Sequence, residues 1–207
     1  MRLITFGDSW TAGHGVEELI EFKEVAKPPT FIDKLRNQNS WPRWVSEKLN
    51  CVFVNTGVAG YGNDYILKEI NESIENNFLN DDDLIIVMLS YPYRYSKKDK
   101  YNVIETFWRM ELKLKNYKHF YFNSFYPTFK NENFDTKNLP NNFINPNGCV
   151  ADVLKEYEIK QNFSVWEYGS RSVWNDEKGF WEGDYHPNLL GYKIISEYIY
   201  DSIKDII

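Results

Sequence analysis

The chain has 207 residues, 43% hydrophobic and 26% charged, which suits one globular domain over residues 1–207 and excludes a disordered or fibrous chain. A formal net charge of −6 argues against a nucleic-acid binder, which leaves a basic footprint. Two cysteines and three histidines are too few for a disulfide framework or a histidine-rich metal centre, so neither metal nor another cofactor is expected.

The first element is the apolar run Leu3 to Phe6, which turns polar too soon for a signal peptide and points to a cytoplasmic protein. Further runs at Val52 to Val54, Leu84 to Leu89 and Phe120 to Phe122 share its continuous apolar character, that of strands buried on both faces of a parallel sheet. Helical periodicity lies between them. Ser40 can cap a helix from Trp41; Ile66, Ile70 and Ile74 form a stripe on a helix from Asp64; Asn102 to Leu114 reads as a third. A last helix starts near Asn188, with a broad apolar face through Leu190, Ile194, Ile195, Tyr198, Ile199 and Ile203. Strands alternating with helices predict a three-layer α/β fold. Glu17 to Asn39 is expected to be a loop or lid with one short helix, and Phe125 to Cys149 a long loop. No apolar run is long enough to span a membrane.

Ligands of an open parallel sheet bind outside the carboxyl ends of its strands, so the segments that follow the strands carry the chemistry. These are Gly7-Asp8-Ser9 after the first strand, Asn55 to Asp64 after the second and Ser90 to Arg94 after the third. Gly183-Asp184-Tyr185-His186-Pro187 precedes the last helix. The set holds a serine, an aspartate and a histidine, the groups that serine hydrolysis requires. Thr11 replaces the second glycine of a G-x-S-x-G elbow, which disfavours the α/β-hydrolase fold.

Gly7-Asp8-Ser9, Asn55-x-Gly57-x-x-Gly60 and Asp184-x-His186-Pro187, in that order across nearly the whole chain, resemble the SGNH/GDSL hydrolase family. The resemblance implies a flavodoxin-like α/β/α sandwich. It makes Ser9 the nucleophile, His186 the general base and the amides of Ser9 and Gly60 oxyanion donors. Two positions depart from the pattern. Pro92 stands where the family places an oxyanion asparagine, leaving Asn63 as a substitute donor. Gly183 fills the usual aspartate slot, so the carboxylate that orients His186 is Glu182 or Asp184, and Asp184, two residues away on the same face of an extended segment, is assigned to it. The absence of a signal peptide and the Asn, Lys, Ile and Tyr bias also resemble a phage-encoded branch, which would allow a virion-associated location.

Each residue has a plainer reading. Ser9 could cap a turn, His186 could cap the last helix, Asp8 reads as a local hydrogen-bonding residue, His14 as a loop histidine and Cys51 as a small hydrophobe. Arg94 could hold an anionic substrate group or be solvated. Aromatic residues make up 17% of the chain, and their faces suit sugar rings or acyl chains. The expected function is a serine esterase working through an acyl-enzyme, with O-acetyl groups of a carbohydrate as substrate. The alternatives are a lipase- or thioesterase-like hydrolase of longer acyl esters and a catalytically silent binding module. The sequence leaves the oligomeric state open.

Overall fold

The computed structural model describes residues 1–14, 29–91, 103–129, 134–161, 173–175, 180–182 and 186–207, with backbone only at 29–32, 173–175 and 180–182. Strands β1 (Arg2–Phe6), β2 (Val52–Asn55), β3 (Leu84–Leu89) and β4 (Lys118–Asn123) form one parallel sheet in the order β2-β1-β3-β4. Ile4 pairs with Val54 on one side and Ile85 on the other, and Ile86 pairs with Phe120.

The pleat of β3 explains its uninterrupted apolar sequence. Leu84, Ile86 and Met88 enter one core, while Ile85, Val87 and Leu89 enter the other. None of the six is more than 1% exposed, and burying each contributes about 1.5–3 kcal/mol. Val45 of α3 (Trp41–Lys48), Leu154 of α6 (Val150–Gln161) and Ile195 and Ile199 of α7 (Leu189–Ile203) complete the first core. Ile66 and Ile70 of α4 (Asn63–Glu75) and Phe107 and Met110 of α5 (Val103–Leu114) complete the second. The result is the α/β/α sandwich expected from the alternation of elements. A short helix α1 (Ser9–Ala12), the helix α2 (Pro29–Asn39), a 3-10 turn at Thr136–Asn138 and an antiparallel pair of strands β5 (Val173–Asn175) and β6 (Phe180–Glu182) complete the described elements.

Two elements differ from the sequence expectation, and one expected loop proves to be tied down. The segment to Asn39 holds an eleven-residue helix, α2, longer than the short one foreseen. Helix α6 was not foreseen; only Val150, Ala151 and Leu154 are buried along it, so its apolar stripe covers little more than one turn. A local bond starts it, the Cys149 amide donating to Asp152 Oδ2 at 3.0 Å in the manner of a capping box. Phe125 to Cys149 is a long connection, but an anchored one. Tyr121 and Phe143 form a parallel bridge, the Ile144 amide donates to the Tyr121 carbonyl, and the Tyr121 amide donates to the Asn142 carbonyl. The connection thereby covers backbone that edge strand β4 would otherwise expose. Asn123 Nδ2 holds its far end through the carbonyls of Gly148 and Pro146.

At the amino ends of the strands, Arg2 ties β1 to the turn before β3. Its Nε and Nη2 donate to the two oxygens of Asp83 at 2.9 and 2.5 Å, and Nη2 also reaches the Phe78 carbonyl. At the carboxyl ends the chain reverses direction across the sheet. It leaves β1 for β2 on one side and returns to β3 on the other. The crevice beside β1 and β3 is therefore the topological switch point where such sheets bind ligands.

Candidate active site

Ser9 sits at that switch point because the chain makes a tight turn immediately after β1. A Cβ on Gly7 would lie 2.1 Å from Thr11 Oγ1 and 3.2 Å from the Met88 carbonyl oxygen, so only glycine fits between α1 and β3. Asp8 caps α1, its Oδ1 accepting the Trp10 amide at 3.0 Å and its carbonyl accepting the amides of Thr11 and Ala12. Gly13, at φ 85°, ends the helix after four residues. Ser9 thus opens a single rigid turn held at both ends. Its amide has no intrahelical acceptor at this position, and its hydroxyl bonds to no other described residue.

The loop after β2 packs against this turn. Asn55 Nδ2 donates to the Thr11 carbonyl at 2.7 Å, its Oδ1 accepts the Gly57 amide, and the Val58 amide donates to the Gly7 carbonyl. A Cβ on Gly57 would come within 2.6 Å of the Ala12 nitrogen, so glycine permits the close approach. Gly60 follows at φ 84°, a left-handed conformation that favours glycine.

Asn63 begins α4 and clamps the end of β3. Its Oδ1 accepts the Ser90 amide at 2.8 Å and its Nδ2 donates to the Ser90 carbonyl at 3.1 Å. One Nδ2 hydrogen remains for any other acceptor. The Ser90 hydroxyl in turn donates to Asp8 Oδ2 at 2.8 Å, with both residues fully buried. A buried chain of hydrogen bonds, Asn63 to Ser90 to Asp8, therefore joins the segments that follow β1, β2 and β3 and ends on the residue that caps the turn bearing Ser9. The local hydrogen-bonding role read for Asp8 is present, and it extends across the sheet. The sequence placed Ser90 in the segment after the third strand but gave it no role of its own.

His186 is buried just before α7, whose cap is the Asn188 side chain accepting the Gly191 amide. Asn188 is the cap, so the helix-capping alternative for His186 is filled by another side chain. The His186 ring lies 5.3 Å from the ring of His14. His14 is fixed by its amide donating to the Ser9 carbonyl and by the Tyr192 hydroxyl donating to its own carbonyl at 2.5 Å. His14 therefore links the turn bearing Ser9 to His186, a contact that its place in the sequence did not reveal. Asp184 and Arg94 lie outside the described residues, as does Pro92. Beside the centre, α2 and the loop after β2 enclose a groove of about 700 Å³. His14 and Ala12 are among its lining residues.

No family model matches the chain, and no curated protein does. Its fold is that of solved GDSL/SGNH lipolytic proteins and esterases. TesA aligns over 100% of both chains at 12% identity and a TM-score of 0.55. The psychrotrophic esterase EstA from Pseudoalteromonas sp. aligns over 99% of this chain and 97% of its own, at 14% identity and a TM-score of 0.53. A family two carbohydrate esterase from Clostridium thermocellum aligns over 99% of this chain and 63% of its own, at 15% identity and a TM-score of 0.50.

Proposed function

We propose that the protein is a serine ester hydrolase that removes O-acetyl groups from a carbohydrate through an acyl-enzyme. The observation that carries the proposal is the placement of Ser9. It heads a capped turn at the switch point of a sheet shared with GDSL esterases, and His14 connects that turn to His186.

In this scheme Ser9 Oγ attacks the ester carbonyl while His186 takes its proton. The same imidazolium then protonates the departing alcohol oxygen, and His186 afterwards activates the water that releases acetate. The amides of Ser9 and Gly60, with the remaining Nδ2 hydrogen of Asn63, serve as oxyanion donors. Each such donor is worth about 3–4 kcal/mol in the transition state. Asp184 orients His186, and Arg94 holds an anionic group on the substrate.

Fluorophosphonate labelling with 4-nitrophenyl acetate turnover tests the reading. Wild type should be labelled at Ser9 and turn the ester over, and a folded Ser9→Ala protein should do neither. An unlabelled Ser9 would replace the proposal with a catalytically silent module. Turnover retained by folded Ser9→Ala would remove Ser9 from the reaction.

A further inference from the structure

Building on the acyl-enzyme reading, we infer that the groove between α2 and the loop after β2 is the subsite for the alcohol half of the ester, and that it takes a polyhydroxylated alcohol such as a saccharide.

Its position follows from the proton's path. The general base must protonate the leaving oxygen, so the alcohol has to lie on the imidazole side of the nucleophile. His14 lines the groove, and its ring is 5.3 Å from that of His186. The groove therefore adjoins the proposed base through His14. An acetyl group fills only a small part of about 700 Å³, a volume within the usual ligand range of about 300–1,000 Å³. The bulky partner of such an ester is its alcohol.

The chemistry of the ligand follows from the walls. One face of α2 supplies Asp33, Lys34, Arg36 and Asn37. Ala12, Val58 and Ala59 are the aliphatic side chains among its described lining residues, and His14 supplies the one ring. Asn55 belongs to the scaffold, since its amide is engaged by Thr11 and Gly57. Asp33 and Arg36 face each other at 3.5 Å, while Asn37 and Lys34 make no side-chain hydrogen bond or ion pair with another described residue. Donors and acceptors interleaved along one helix face match a row of hydroxyl groups, each of which both donates and accepts.

The test uses the double variant Lys34→Leu/Asn37→Leu, which alters exposed positions on α2. On O-acetylated xylotriose, KM should rise at least tenfold with kcat changed less than twofold, the mark of lost uniform binding. Binding is followed separately by saturation-transfer NMR with unacetylated xylotriose, cellotriose and chitotriose. At least one should show transfer with wild type and lose it with the variant. If wild type hydrolyses no ester yet binds a saccharide that the variant does not, the catalytic reading fails and the groove assignment stands. Failure of all three sugars to bind wild type, or an unchanged KM, would overturn the groove assignment even if Ser9 is catalytic.

Discussion

Replacing Asn63 with alanine removes the clamp between α4 and the end of β3. The Ser90 amide and carbonyl both lose their side-chain partner at a fully buried residue. Each orphaned group costs about 1–3 kcal/mol, so the expected loss is roughly 2–6 kcal/mol. Against a typical domain stability of about 5–15 kcal/mol, that is severe but survivable. Urea melts followed by tryptophan fluorescence read it directly, Trp10 being buried one residue from Ser9. Esterase turnover should fall as well, because Ser90 also holds the carboxylate of Asp8 that caps the turn bearing Ser9. Asn63→Asp separates the hydrogen bonds from simple loss of volume. It keeps an acceptor for the Ser90 amide but turns the donor facing the Ser90 carbonyl into a second acceptor. Burial raises the folded-state pKa of the new carboxyl, so its penalty is full at neutral pH and relieved as pH falls through that raised value. The gap between Asn63→Asp and wild type should therefore narrow from pH 7 towards pH 5. A loss below 1 kcal/mol for Asn63→Ala, or a penalty for Asn63→Asp that does not change with pH, would refute the argument.

Gly57→Ala should cost about 1–3 kcal/mol and depress turnover, because its Cβ would meet backbone of α1 at 2.6 Å and displace the turn that carries Ser9; chemical denaturation paired with an ester assay checks both. Burial pushes the Asp83 carboxyl up, but the Arg2 hydrogen bond, the Asn80 amide and the Arg2 charge outweigh it and hold the group below its ordinary value. That contribution to stability is full above the ordinary carboxylate value and is lost as pH falls below about 4. Arg2→Met should lower stability at pH 7 by roughly 2 kcal/mol and flatten the acid limb of a stability–pH curve, and an acid limb as steep as that of wild type would contradict this. Asp184→Asn should leave the fold intact and lower kcat by up to about four orders of magnitude, as a wrong histidine tautomer does, whereas Glu182→Gln should do little; the reverse result would reassign the group that orients His186.

What the sequence determined by itself is whatever depends on local periodicity. The continuous apolar run Leu84 to Leu89 has to be covered on both faces, and the stripe of Ile66 and Ile70 supplies such a cover; alternating with the other strands and helices, they point to a layered α/β fold. The loops after β1 and β2 were legible too, because Gly7, Gly57 and Gly60 stand where close approach or a left-handed backbone is required. Helix α6 stayed hidden because its buried face is short and its start rests on one side-chain bond from Asp152. The tertiary structure alone decided the links between distant segments. Asn63 and Ser90 are 27 residues apart, Asp8 and Ser90 are 82 apart, and the Tyr192 hydroxyl reaches the His14 carbonyl across 178. No pattern of spacing encodes such contacts, since they arise only when the order β2-β1-β3-β4 brings three strand ends to one crevice. The same closure turned a loop histidine into the neighbour of His186, and one face of α2 into the wall of a groove.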